Sequence, residues 1–216
     1  MRPFQSILFD FDYTLADSSR GVIDCIGFAL HALDLPPVSD EAACQTIGLS
    51  LGDTLVRLAG PEHTNLRDAF ARLFVQRANQ VMSDKTELFA SVPDTVRLLK
   101  DRGIALGIVS TKFRYRIESV LAREQLLDVF DVIIGGEDVT RHKPDPESLL
   151  LAMRRLNVSE GVLYAGDSVT DAEAARRASV PFVAVLSGVT PGHAFERYQA
   201  LAVVQDLPEL TAWLDG

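Results

Sequence analysis

The stretch Ser6-Ile7-Leu8-Phe9-Asp10-Phe11-Asp12 constrains this chain more than any other. Three consecutive apolar residues run directly into an aspartate, and a second aspartate follows two positions on. An apolar run ending this way reads as a strand covered on both faces, the pattern of a parallel sheet. Two carboxylates at the exit of such a strand are costly unless solvent, a cation or a reacting group uses them. Open α/β sheets place their ligand sites at the carboxyl ends of strands, which is where Asp10 and Asp12 fall.

The downstream sequence supplies the rest of such a sheet. Apolar strands are predicted at 104–109, 132–134, 162–165 and 182–186, with an edge strand near 202–204. Helical patterns lie between them at 95–102, 115–123, 147–156 and 171–178, and Gly103 stops the first. This alternation predicts an α/β fold, a parallel sheet flanked by helices. Residues 18–82 differ in texture. Val22, Ile23, Ile26, Leu30 and Leu33 share one helix face, and Leu66, Ala69, Phe70, Leu73 and Phe74 share another. Breaks fall at Leu35–Ser39 and Gly60-Pro61, and Asp17-Ser18-Ser19 offers an N-cap for the first helix. The expected organisation is a core of residues 1–16 and 84–216, with a small all-helical domain, 17–83, inserted after the first strand.

With 216 residues, 47 % hydrophobic and 24 % charged, the chain has the composition of a globular enzyme. Thirty acidic against 21 basic residues give a net charge of -9, which disfavours nucleic-acid and anionic-membrane partners. No apolar run approaches the ~18 residues of a membrane span, and no signal-peptide pattern opens the chain, so a cytoplasmic location is expected. Cys25 and Cys44 read as small packed residues, and His31, His63, His142 and His193 are too scattered for a histidine metal site.

The strand ends carry the chemistry. One predicted strand ends in Ser110-Thr111-Lys112, and another in Gly166-Asp167-Ser168-Val169-Thr170-Asp171. Lys143-Pro144 lies in the loop before the helix that leads into the latter. A parallel sheet brings all of these to one edge, gathering Asp10, Asp12, Asp167 and Asp171 with two hydroxyls and up to two ammonium groups. Carboxylates without imidazoles suit a hard cation such as Mg²⁺, and hydroxyl, backbone N–H and lysine groups beside it suit a phosphate. Phosphoryl transfer asks for both together. Lys112 and Arg114 read as surface residues, and Gly135-Gly136 as a turn.

Asp10-Phe11-Asp12-Tyr13-Thr14, Ser110, Lys143-Pro144 and Gly166-Asp167-Ser168-x-x-Asp171 together resemble the four ordered motifs of the haloacid dehalogenase-like (HAD) hydrolases. The helical insertion resembles the cap of the branch that includes phosphoglycolate phosphatase and β-phosphoglucomutase. The resemblance implies a Rossmann-like core and a Mg²⁺-dependent phosphatase acting on a small phosphomonoester such as phosphoglycolate. By the same resemblance Asp10 is the nucleophile that forms an aspartyl-phosphate, and Asp12 is the general acid and base. Asp10, Asp12 (through its carbonyl) and Asp167 hold the metal, and Asp171 does so directly or through water. Ser110 and Thr111 bind the phosphoryl oxygens, Lys143 balances charge, and Thr14 supports the loop. A monomer or homodimer is expected.

Departures from the family pattern narrow the reading. Tyr13 stands where glycine is usual. The segment 15–84 contains no lysine, which disfavours Schiff-base chemistry there. Leu51 and Val22 stand where the mutase branch has an arginine and a histidine, so hydrolase is preferred to mutase. Of the arginines at 20, 57, 67, 72 and 77, Arg20 is the candidate for a substrate contact. A nucleotidase, a pyrophosphatase and a sugar-phosphate phosphatase of the same family stay open. So does a non-catalytic phosphate- or metal-binding domain. A phosphoacceptor receiver domain is disfavoured by the insertion and by Asp12.

Overall fold

A computed structural model describes residues 4–216. The chain forms two compact units: the residues up to Ala16 together with Leu88–Gly216, and Asp17–Glu87.

The first unit is built on a six-stranded sheet. Its strands are β1 (Ser6–Phe9), β4 (Ala105–Val109), β5 (Val132–Ile134), β6 (Val162–Gly166), β7 (Phe182–Val185) and β8 (Ala202–Val204). They lie in the order β5-β4-β1-β6-β7-β8, and every pairing is parallel. β1 is central because it is apolar on both faces. Ile7 and Phe9 pack with Leu106, Ile108, Leu163 and Val183 on one side. Leu8 packs with Tyr164, Val162 and Ala184 on the other.

The helices of this unit are α5 (Val92–Asp101), α6 (Arg114–Arg123), α7 (Glu147–Leu156), α8 (Val169–Ala178) and α9 (Leu207–Asp215). α5, α6 and α9 cover the first face. α7 and α8 cover the second. Chain direction across the sheet reverses at β1. β4 and β5 build outward on one side, β6 to β8 on the other, and the crevice of such a fold opens between the two strands flanking that reversal. Those strands are β1 and β6, which end at Asp10 and Asp167.

Helix starts differ most from expectation. α5 begins at Val92, three residues early, because Pro93 is tolerated in a first turn where its missing N–H has no helical partner. α8 begins at Val169, two residues early, because Ser168 is its N-cap.

The second unit contains α1 (Ser19–Ala32), α2 (Asp40–Cys44), α3 (Leu51–Ala59) and α4 (Arg67–Val81). Val22, Cys25, Ile26, Leu55, Phe70 and Phe74 form its separate core. Asp24 on α1 accepts from Arg77 Nε on α4 at 2.7 Å and from the Lys85 ammonium, tying the two long helices together. Asp17 Oδ1 accepts from the Ser19 N–H at 2.8 Å at the start of α1. The chain leaves the first unit through β2 (Ala16–Asp17) and returns through β3 (Glu87–Leu88), and these two-residue strands pair with each other. Among the described residues, no helix is long and apolar enough to cross a membrane.

Candidate active site

The first unit brings Asp10, Asp12, Ser110, Lys143, Asp167 and Asp171 to the carboxyl edge of its sheet, all of them buried. Asp10 continues the hydrogen-bonding line of β1, its N–H donating to the Ala165 carbonyl of β6 at 2.9 Å. Carboxylate oxygens of Asp10, Asp167 and Asp171 all lie within 4.8 Å of one another.

Lys143 reaches into this group from its loop, with its side chain only 2 % exposed. Its Nζ lies 2.9 Å from Asp10 Oδ1 and 2.5 Å from Asp171 Oδ1. It also donates to the Tyr164 hydroxyl at 3.0 Å and to the Val109 carbonyl at 3.2 Å. Burial works against the Lys143 ammonium, but the Asp10 and Asp171 charges outweigh it and hold its pKa above the usual lysine value.

The carboxylates pay the opposite penalty. Burial, reinforced by Asp171 and Asp12, raises Asp10 to about 7 even with Lys143 beside it. Burial, then the Asp171 and Asp10 charges, raises Asp167 well above the carboxylate range.

Asp171 has a full set of partners. Its Oδ2 accepts from the Ser168 hydroxyl at 2.6 Å and the Ser168 N–H at 3.1 Å, while its own N–H donates to Ser168 Oγ at 3.1 Å. This reciprocal pair is a capping box that opens α8. Its Oδ1 accepts from Lys143 and, at 2.8 Å, from the Tyr164 hydroxyl. The Tyr164 phenol is held protonated, its pKa raised well above 10 by burial and by the Asp171 and Asp10 charges.

Lys112 overturns its expectation. It is buried, not exposed, and donates to Asp12 Oδ1 at 2.8 Å and Oδ2 at 3.2 Å. Arg114 is partly exposed as expected, at 3.5 Å from Asp138. Ser110 Oγ accepts from the Lys112 N–H at 3.2 Å, and Thr111 is half-buried beside it. The Gly135-Gly136 turn packs against this loop. A Cβ on Gly136 would lie 2.4 Å from the Thr111 carbonyl oxygen, and one on Gly135 2.3 Å from the Arg114 nitrogen. Both positions therefore exclude a side chain. Thr14 is fully buried, and its hydroxyl has no hydrogen-bond partner among the described residues.

Tyr13 has φ +62°, the left-handed region. That explains why glycine is usual at this position, since a side chain there costs roughly 1–2 kcal/mol. Its carbonyl accepts from the Ser187 hydroxyl, which fixes the loop after β7 beside the motif. Arg20 lies in the helical unit and is exposed, 3.8 Å from Glu87.

The site suits a divalent cation. Three buried carboxylates face one ammonium, and Asp10 Oδ1, though close to Lys143, lies outside hydrogen-bonding angles and so keeps an unsatisfied lone pair. An oxygen-only donor set of this kind matches a hard ion.

Comparison with known proteins assigns the class. Residues 7–185 match the family model of haloacid dehalogenase-like hydrolases. A phosphoglycolate phosphatase of Escherichia coli O157:H7 is 30 % identical, over 95 % of this chain and 90 % of that protein. One from Salmonella paratyphi A is 32 % identical, over 90 % of this chain and 86 % of the other. Among solved structures, one from Bacteroides fragilis described as a haloacid dehalogenase-like hydrolase is 42 % identical. It has a TM-score of 0.92 and covers 96 % of this chain and 99 % of its own. Another, from Lactobacillus plantarum and described as a phosphoglycolate phosphatase, is 25 % identical. Its TM-score is 0.85, with 97 % and 98 % of the two chains covered. The chain belongs to the haloacid dehalogenase-like hydrolases, in the branch that also holds these phosphoglycolate phosphatases.

Proposed function

We propose that this enzyme is a Mg²⁺-dependent phosphatase that hydrolyses a small phosphomonoester, phosphoglycolate being the leading candidate, through an aspartyl-phosphate on Asp10. The observation that carries the reading is the convergence of buried Asp10, Asp167 and Asp171 at the end of the central strand, with Lys143 on Asp10 and Asp171. The named activity of the relatives supports the choice of substrate.

Asp10 and Asp167, with the carbonyl of Asp12, would hold the ion, and Asp171, whose oxygens already accept from Lys143, Tyr164 and Ser168, would hold it directly or through water. When bound, the ion neutralises phosphate charge and keeps the nucleophile ionised. Asp10 attacks phosphorus as its carboxylate, the form that Lys143 favours. Asp12 donates a proton to the leaving oxygen and then takes one from the hydrolytic water. Ser110 and the Thr111 N–H bind the non-bridging oxygens, Lys143 offsets their charge, and Thr14 supports the loop. Selection of the leaving group falls to the helical unit as a cap, with Arg20 as its candidate contact. Val22 is buried among that unit's apolar residues, which supports hydrolase over mutase.

The test is a panel of phosphate esters assayed with Mg²⁺ and with EDTA, on the wild type and Asp10→Asn. Phosphoglycolate and p-nitrophenyl phosphate should turn over only with metal and only in the wild type, while circular dichroism shows the variant folded. Near-wild-type turnover by Asp10→Asn would remove Asp10 as nucleophile.

A further inference from the structure

Lys112 is a lysine buried for a reason the phosphatase reading does not use. Its side chain is 5 % exposed and that of Asp12 is 9 % exposed, and the ammonium meets both carboxylate oxygens. Burying an ammonium without a partner is expensive, and so is burying a carboxyl group without one, so each supplies the polar partner that the other's burial requires. We propose that Lys112 is the positioning residue of Asp12, fixing the carboxylate that handles the protons, as Lys143 fixes the one that takes the phosphoryl group. The proposal rests on the phosphatase reading and adds a residue to it.

Three features support it. The two ammonium groups have separate partners: Lys143 contacts Asp10 and Asp171, and Lys112 contacts Asp12. The Lys112 backbone is held at both ends of its peptide, its N–H donating to Ser110 Oγ at 3.2 Å and its carbonyl accepting from the Gly136 N–H at 3.0 Å. Finally, Gly136 is where it must be for that second bond, because any Cβ there would strike the Thr111 carbonyl. A long flexible side chain delivered from an anchored backbone places its charge far more reproducibly than one on a free loop. Lys112 Nζ also lies 6.0 Å from the centre of the Phe11 ring, on the residue that separates the two aspartates.

The chemistry shows why orientation matters. In the first step a carboxylate oxygen of Asp10 bonds to phosphorus and the P–O bond to the leaving group breaks. The bonding pair stays on the leaving oxygen, which takes a proton from the Asp12 carboxyl. In the second, water oxygen bonds to phosphorus, one of its protons goes to the Asp12 carboxylate, and the P–O bond to Asp10 breaks, restoring both groups and releasing phosphate. Lys112 meets both Asp12 oxygens, at 2.8 and 3.2 Å, and so fixes the plane of the carboxyl group that gives up and takes back the proton.

A nitrophenolate leaves without needing a proton, whereas an alkoxide does not. The experiment therefore compares p-nitrophenyl phosphate with phosphoglycolate, in stopped flow and at steady state with Mg²⁺, for the wild type, Asp12→Asn, Lys112→Gln and Lys112→Arg. For Lys112→Gln, turnover of the alkyl ester should fall on the order of 10²-fold, the scale of a general acid's contribution. With p-nitrophenyl phosphate the same variant should release a burst of nitrophenolate stoichiometric with enzyme, followed by a slow steady rate. Asp12→Asn should show the same pattern more severely. Lys112→Arg, which keeps a cation on the loop, should recover part of the alkyl-ester rate.

Equal losses on both esters with no burst would mean that Lys112 only braces the fold, and would overturn the proposal. So would wild-type behaviour in Lys112→Gln. If Lys112→Gln does not fold, Lys112→Arg carries the comparison: a burst with a slowed second phase supports positioning, and its absence alongside equal losses refutes it. A wild type inert on both esters would refute the phosphatase reading itself, a result separable from normal wild-type turnover with an unaffected Lys112 variant.

Discussion

Gly188 lacks a side chain because Asp167 occupies the space: a Cβ there would lie 2.0 Å from Asp167 Oδ2. Gly188→Ala must displace either the loop or the carboxylate. Because the displaced group is a proposed ligand, we expect Mg²⁺ affinity to fall roughly 10–100-fold, the usual cost of disturbing a metal site's supports. A Mg²⁺ titration of activity reads this, and an unchanged midpoint would remove Asp167 from the ligand set. Tyr164 is the second informative residue. Its hydroxyl donates to Asp171 and accepts from Lys143, so Tyr164→Phe takes one partner from each while keeping the ring packed. The expected loss is about 1 kcal/mol in a denaturation experiment, with reduced kcat because Lys143 loses a constraint. A variant with unchanged kcat would leave the phenol with a purely structural role.

At the scale of elements, the close packing of β1, β4 and β5 is set by Gly107. A Cβ on it would meet Leu8 Cδ2 at 2.5 Å and Val132 Cγ1 at 2.6 Å, so Gly107→Ala should cost about 1–3 kcal/mol by overpacking. Chemical denaturation would show the midpoint shift, and no shift would mean that the second core has slack. The strands themselves were legible because Ile7-Leu8-Phe9 and its counterparts are apolar on both faces, a pattern that only a covered parallel sheet explains. The same logic exposed Asp10 and Asp167, because parallel strands must end along one edge, whereas Lys143, in the loop between β5 and α7, stood out only through Pro144 and its place in the motif order. Lys112 was not legible. Its burial depends on Asp12, a hundred positions earlier in the chain, and no local pattern distinguishes a lysine with such a partner from a solvated one. Tyr164 was hidden for a related reason, reading as one more apolar strand residue until its hydroxyl is placed beside Asp171. The strands β2 and β3, two residues each, carry no periodicity at all.

The whole molecule inherits a pH dependence from its site. The native state raises Asp10 from 3.8 to about 7, so between those values the folded chain holds a proton that the unfolded chain has released. The stability this contributes is fully present below about pH 4 and is lost as pH rises through about 7, with Asp167 acting in the same direction. A cation binds the ionised carboxylates and reverses the penalty, so its stabilising effect should grow as pH rises. Thermal melts should therefore show a metal-free midpoint that declines between about pH 5 and pH 7.5, less steeply in Asp10→Asn. Added Mg²⁺ should raise the wild-type midpoint more at the higher pH. A Mg²⁺ increment independent of pH would place the ion somewhere other than this carboxylate group.

The junction at β2 and β3 carries a longer-term consequence. The helical segment departs and rejoins through adjoining backbone, so its exchange for an unrelated insert would leave strand register and the helix layers of the sheet untouched. The carboxylates and Lys143 at the sheet edge all belong to the first unit, so such an exchange would leave them contiguous.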